Sequence, residues 1–121
     1  MVEKENKKQY NLEKRTADFA RDIRGFVRKL PKTISNIEDI KQLVRSSGSV
    51  GANYIEANES LSKKDFIMRV KICRKEAKES EYWLNLIDVG GESETERQRK
   101  VLTQEAKELM VIFGSIMRKS E

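Results

Sequence analysis

Apolar residues along this chain recur at intervals of three and four rather than two, in four runs separated by proline, glycine and small polar residues. The first run puts Thr16, Phe19, Ala20, Ile23, Phe26, Val27 and Leu30 on one helical face, with Asn11 as a good cap before it and Pro31 to stop it. In the second, Ser35 or Asn36 caps a helix whose inward stripe is Ile40, Val44, Ser47, Gly51, Tyr54 and Asn58, flanked by Leu43, Val50 and Ala57. The third opens at Ser62, with Asp65 at capping-box spacing. It carries Phe66, Val70, Cys73, Ala77, Ser80, Leu84 and Ile87, and ends at Gly90 and Gly91. Ser93 and Glu96 open the fourth, which presents Val101, Leu102, Leu109, Ile112, Phe113, Ile116 and Met117. The four-three alternation of the third run favours crossing angles of about 20°, and short connections make sequential helices antiparallel. The pattern therefore predicts an all-α, antiparallel up-down-up-down four-helix bundle over residues 11–121, preceded by a basic N-terminal tail at 1–10.

One segment breaks the usual composition of a helix. RSSGSVGANYIEANES, residues 45–60, holds Gly48 and Gly51 in a helix interior, where each glycine costs about 0.8–1.0 kcal/mol relative to alanine. Such glycines make sense where a neighbouring backbone comes very close, so the second and third helices are expected to press together through small side chains. Close helix packing is favoured over a phosphate-binding loop, because no strand precedes the segment and no Gly-Lys-Ser/Thr ending follows it.

Composition sharpens this picture. Hydrophobic and charged residues each make up 37% of 121 residues, and one proline accompanies six glycines, which suits one core of long amphipathic helices. The net charge is +5, and residues 1–32 hold ten Lys/Arg against five Asp/Glu, so the surplus is concentrated on the first helix and the tail. A single cysteine permits no intrachain disulfide. No run of 18 apolar residues occurs, so neither membrane spanning nor export is indicated and a cytoplasmic protein is expected.

Residues 45–87 carry a resemblance. The runs Ser-Val-Gly-Ala-Asn-Tyr-Ile-Glu-Ala at 49–57, Ser-Lys-Lys-Asp-Phe at 62–66 and Lys-Glu-Ala-Lys-Glu-Ser-Glu-Tyr-Trp-Leu at 75–84 are similar to those of the bacterial four-helix-bundle family related to the 23S ribosomal RNA intervening-sequence protein. The resemblance implies a small antiparallel bundle that assembles into rings, commonly pentamers, of mostly unassigned role. The family name comes from reading frames inside insertions of ribosomal RNA genes. A distant branch, the accessory variability determinant of diversity-generating retroelements, is a basic pentamer that binds nucleic acid, and the excess charge here is smaller than that branch implies.

Candidate chemistry is sparse. The chain has no histidine, which removes the commonest general base and the usual ligand of bundle metal sites. Glu56, Glu76, Glu79 and Glu81 form the sole carboxylate set to weigh for a metal, and ion pairing is the better account of them. No cofactor, metal or catalytic residue is expected. Antiparallel pairing of helices two and three sets Arg45 beside Glu76 and Glu79, a bridge which, if buried, costs about 3–5 kcal/mol to break. Asn53 and Glu56 share the apolar helix and are expected to be partly buried, fixing register or a subunit contact rather than holding a ligand. Cys73 reads as a small core hydrophobe. Tyr82 and Trp83 cannot both face the core beside Leu84, so one lies at a margin that a second subunit or the bundle's own helix ends could cover. Arg21, Arg24 and Arg28 on helix one, and Lys64, Lys71, Lys75 and Lys78 on helix three, recur at helical spacing and could track phosphates. No exposed aromatic run accompanies them, and ordinary solvated helix faces are the competing account. Two functions are set against each other: association with RNA or DNA through these faces, and a protein-interaction or structural homo-oligomer. An enzyme ranks third.

Overall fold

The computed structural model describes residues 11–121, and the predicted tail at 1–10 lies outside them. Four helices follow one another: α1 (Leu12–Val27), α2 (Ile34–Asn58), α3 (Lys63–Leu86) and α4 (Ser93–Ser120), with no strand among the described residues. Cross-helix pairs run in opposite senses along each neighbouring pair, as an antiparallel bundle requires. Arg45 meets Glu76 while Asn53 meets Arg69, and Glu81 meets Lys107 while Ile87 meets Arg99. Around the rest of the ring, Gly48 lies at Arg24 and Gly51 at Thr16, and Lys29 bonds Gln98 while Arg15 bonds Glu105. Sequential helices pack together and α4 closes onto α1, so α1 and α3 stand at opposite corners, as do α2 and α4.

The caps differ in detail from the sequence expectation. Thr33, rather than Ser35 or Asn36, caps α2 by accepting from the Asn36 backbone N–H at 3.1 Å. Ser62 caps α3 as expected, accepting from Asp65 N at 3.1 Å. Asn11 and Glu92 flank α1 and α4 without a side-chain cap bond, and Ser93 is already the first residue of α4. The third helix stops at Leu86 rather than at the glycines. Gly90 and Gly91 instead make a left-handed turn at φ +75° and +77°, and a Cβ at Gly90 would lie 2.8 Å from the Pro31 ring.

A single cluster runs through the bundle, built on Phe19, Ile23 and Phe26 of α1, Leu43 and Val50 of α2, Val70, Cys73 and Leu84 of α3, and Leu109 and Phe113 of α4. The α2 stripe is rotated from the expected one. Leu43, Ser46, Ser47, Val50 and Ala57 are buried, whereas Ile40, Val44 and Tyr54 sit at the margin and Asn58 is exposed. The small residues explain the rotation, since they bring neighbours in on two sides. Ser46 and Ser80 share a 2.9 Å hydrogen bond across α2 and α3. Gly51 faces α1 rather than α3, and a Cβ there would lie 2.9 Å from Thr16 Oγ1 and 3.2 Å from Thr16 Cβ. The close approach is thus to a side chain. Gly48 lies only against the end of the Arg24 guanidinium, so nothing in its packing requires a glycine. On α4, Val101 is 63% exposed, Ala106 joins the core cluster, and Gly114 is buried beneath the side chains of Arg74 and Arg118.

Candidate nucleic-acid interface

The core side of α3 is fixed by Val70, Cys73, Ala77, Ser80 and Leu84, so the residues half a turn away must face solvent. Those residues are Lys64, Met68, Lys71, Lys75, Lys78, Tyr82 and Leu86, all exposed, at spacings of four, three, four, three, four and four. They form one stripe, with Lys64 and Lys78 about 21 Å apart along the helix. No acid lies within it. Glu76 is buried on the α2 side, Glu79 is turned towards Arg45, and Glu81 pairs with Lys107 at 3.6 Å. The structure therefore collects the four sequence-predicted lysines on one face and adds Tyr82, 57% exposed, to their row. One exposed ring is still not an aromatic run, but it stands in line with the lysines. The signal was present in the sequence, because Tyr82 follows Lys78 by four residues.

Beside the stripe lies a network that holds Tyr82. Arg45 of α2 donates to Glu76 Oε2 at 3.0 Å and to Glu79, and the Trp83 indole N–H donates to Glu79 at 3.0 Å. The Tyr82 ring packs edge-on against Trp83, with centroids 4.9 Å apart and planes at 73°. Burial pushes the Glu79 carboxyl up, but hydrogen bonds from Trp83 and Arg45 outweigh it and hold the group below the ordinary carboxylate range. Burial also pulls Arg45 down, and its bonds to Glu79 and Glu76 more than offset this. The predicted bridge is present but is not the buried pair expected. The Arg45 side chain is 49% exposed and that of Glu76 10%, so breaking it costs less than the 3–5 kcal/mol of a sequestered pair.

The remaining predicted residues are dispersed. Arg21 is bonded to Asp18 at 2.9 Å, Arg24 donates to the Ala20 carbonyl at 3.0 Å, and Arg28 is exposed. Because α1 and α3 occupy opposite corners, their basic faces point away from each other and make no common surface within one chain. Asn53 is partly buried as expected, accepting from Arg69 at 3.0 Å, but Glu56 is exposed on the solvent side of α2. Arg45, Gly51, Asn53 and Glu79 each make contacts within the chain. Among the described residues no three carboxylate or cysteine groups converge as a metal site. Burial pushes the Cys73 thiol up to about 12, which suits a core residue and not a nucleophile. An open groove of about 580 Å³ between α1 and α4 is floored by Phe19 and Leu102, edged by Val101, and spanned by the Arg15 fork onto Glu105 and Glu108. No helix among the described residues is long and apolar enough to cross a membrane.

A crystal structure of a protein of unknown function from the S23 ribosomal protein family of Bacteroides thetaiotaomicron is 32% identical, covers 87% of this chain and 96% of its own, and gives a TM-score of 0.75. No curated protein matches the chain. The model of the 23S rRNA-intervening sequence protein family matches residues 8–114, and the chain belongs to that family.

Proposed function

We propose that this protein is a non-catalytic, cytoplasmic module that associates with nucleic acid through the exposed stripe of α3. One observation carries the proposal: Lys64, Lys71, Lys75 and Lys78 stand in a single acid-free row with Tyr82. The family name, which refers to ribosomal RNA, makes RNA the first substrate to test. The arginine face of α1 is secondary, because Asp18 already neutralises Arg21. In a binding assay on labelled RNA at 50 mM salt, replacing the four lysines by glutamine abolishes association, whereas Arg21, Arg24 and Arg28 to glutamine weakens it little. Equal loss in both variants, or none in the lysine variant, removes α3 as the interface.

A homo-oligomer is the second reading, and exposed apolar residues favour it. Val101 and Val111 are 63% and 69% exposed on α4, and Val101 edges the α1–α4 groove. The family resemblance supplies five as the number of copies. A ring would repeat the lysine row around its axis and raise avidity without any new contact. Scattering-derived molar mass after nuclease treatment tests it: a multiple of the 14.1 kDa chain supports the oligomer, and a monomer that still pulls down a protein partner favours a scaffold instead.

A further inference from the structure

The α3 stripe has a shape and chemistry that discriminate among nucleic acids. Its row is narrow and straight, a single line of lysines along about 21 Å of helix, which matches one line of phosphates better than the two lines of a duplex. It carries no Arg, Asn or Gln, so lysine is its sole side chain able to read a base edge in a DNA major groove, and the deep, narrow major groove of an RNA duplex does not admit side-chain readout. What it carries instead is an exposed aromatic ring one turn beyond Lys78.

That ring is supported from behind. Trp83 packs against the core and is anchored through its indole N–H to Glu79, and Tyr82 rests on it edge-on at 4.9 Å. Glu79, three residues before Tyr82, is already committed to Arg45 and Trp83, so it does not repel an approaching phosphate as a free carboxylate would. Met68, between Lys64 and Lys71, and Leu86, beyond Tyr82, add exposed apolar surface to the row. A base already stacked in a duplex has no free face for Tyr82, whereas an unpaired base has one.

We infer that the α3 stripe takes single-stranded nucleic acid, with an unpaired base stacked on Tyr82 and the adjoining phosphates along Lys78, Lys75 and Lys71. This rests on the nucleic-acid reading of the same stripe, and RNA and DNA strands share the chemistry it uses.

The test compares end-labelled 12-nucleotide oligouridylate and oligothymidylate with blunt 12-base-pair RNA and DNA duplexes, by fluorescence anisotropy at 50 mM salt. Single strands bind at least fivefold tighter than duplexes. Tyr82→Ala lowers single-strand affinity roughly 5- to 150-fold, the worth of one base on an aromatic ring, and leaves duplex affinity unchanged. Tyr82→Phe retains the affinity of the parent chain. Tyr82→Leu, which keeps apolar cover over Trp83, behaves like the alanine variant and guards against a folding defect. Trp83 is the sole tryptophan, so its emission changes with single strands and not with duplexes. Equal affinity for both forms, or indifference to Tyr82→Ala and Tyr82→Leu, overturns this inference while a loss on Lys75→Gln leaves the lysine row standing. Absence of binding by every probe overturns both. A difference between the RNA and DNA single strands identifies which source the stripe prefers and supports the inference in either case.

Discussion

Asn36 is the residue whose removal most sharply tests how the bundle is tied at one end. It is 1% exposed, and its side chain joins the α1–α2 connection to the α3–α4 connection. Nδ2 donates to the carbonyls of Pro31 at 2.9 Å and Asp88 at 2.8 Å, and Oδ1 accepts from the Asp88 N–H at 3.0 Å. Asn36→Ala deletes all three. At about 1 kcal/mol net for each, with part of the freed backbone regaining water at the bundle end, the expected loss is about 3 kcal/mol. That is a large share of a typical stability of about 5–15 kcal/mol, and it lowers the thermal midpoint by about 10 °C. Urea denaturation followed at 222 nm measures it, with the slope against urea unchanged because the same surface unfolds. Asn36→Asp makes the mechanism specific. A carboxylate still accepts from Asp88 N–H but sets an oxygen against two carbonyl oxygens, so at pH 7 it destabilises at least as much as alanine and recovers partly in acid, where the carboxyl can donate. An alanine variant within about 0.5 kcal/mol of the parent chain would mean that the three Asn36 bonds do not tie this end of the bundle.

Two further outcomes follow from the groups around α3. Because Glu79 is held below the ordinary carboxylate range, its contribution to stability is complete above about pH 4.3, where a free glutamate titrates, and is lost as pH falls through the lower folded value. Glu79→Gln therefore lowers stability at pH 7 and flattens the acid limb below about pH 4.3, measured by urea midpoints from pH 7 to 3; parallel acid limbs in the two proteins contradict it. Cys73, fully buried with its thiol raised to about 12, resists a disulfide reagent at pH 8 in the native state and reacts at the rate of a free thiol in urea, and fast native labelling would mean that the core opens locally.

The bundle was legible because the strongest pattern in the chain, the four-three repeat from Phe66 to Ile87, lies on a helix with one clear core face, and its members from Val70 onwards are buried. The second helix was harder to orient. Apolar and small residues surround most of it, and its inward direction depends on which neighbours its glycine and serines admit, Thr16 at Gly51 and Ser80 at Ser46. Asn36 was misread as a cap because asparagine caps helices well in isolation, and its actual partners, at Pro31 and Asp88, come together only in the fold. Glu56 was misplaced for a related reason, since its helix was taken to be buried over most of its circumference. The lysine row and the Arg45 bridge to Glu76 and Glu79 were visible because spacing along antiparallel helices fixes both. The opposition of the α1 and α3 faces follows from the predicted up-down-up-down order, which sets the first and third helices at diagonal corners, and not from the spacing within either helix.

The lysine row of α3 as a phosphate-binding face is tested most directly by the salt dependence of RNA affinity. Four lysines neutralising four phosphates of a single strand give a slope of about −2.8 in log affinity against log salt, roughly a 50-fold loss between 50 and 200 mM, and each Lys→Gln change reduces the slope by about 0.7. Affinity that does not fall across this range, or a slope unaltered when Lys71 and Lys75 are both replaced, contradicts the account.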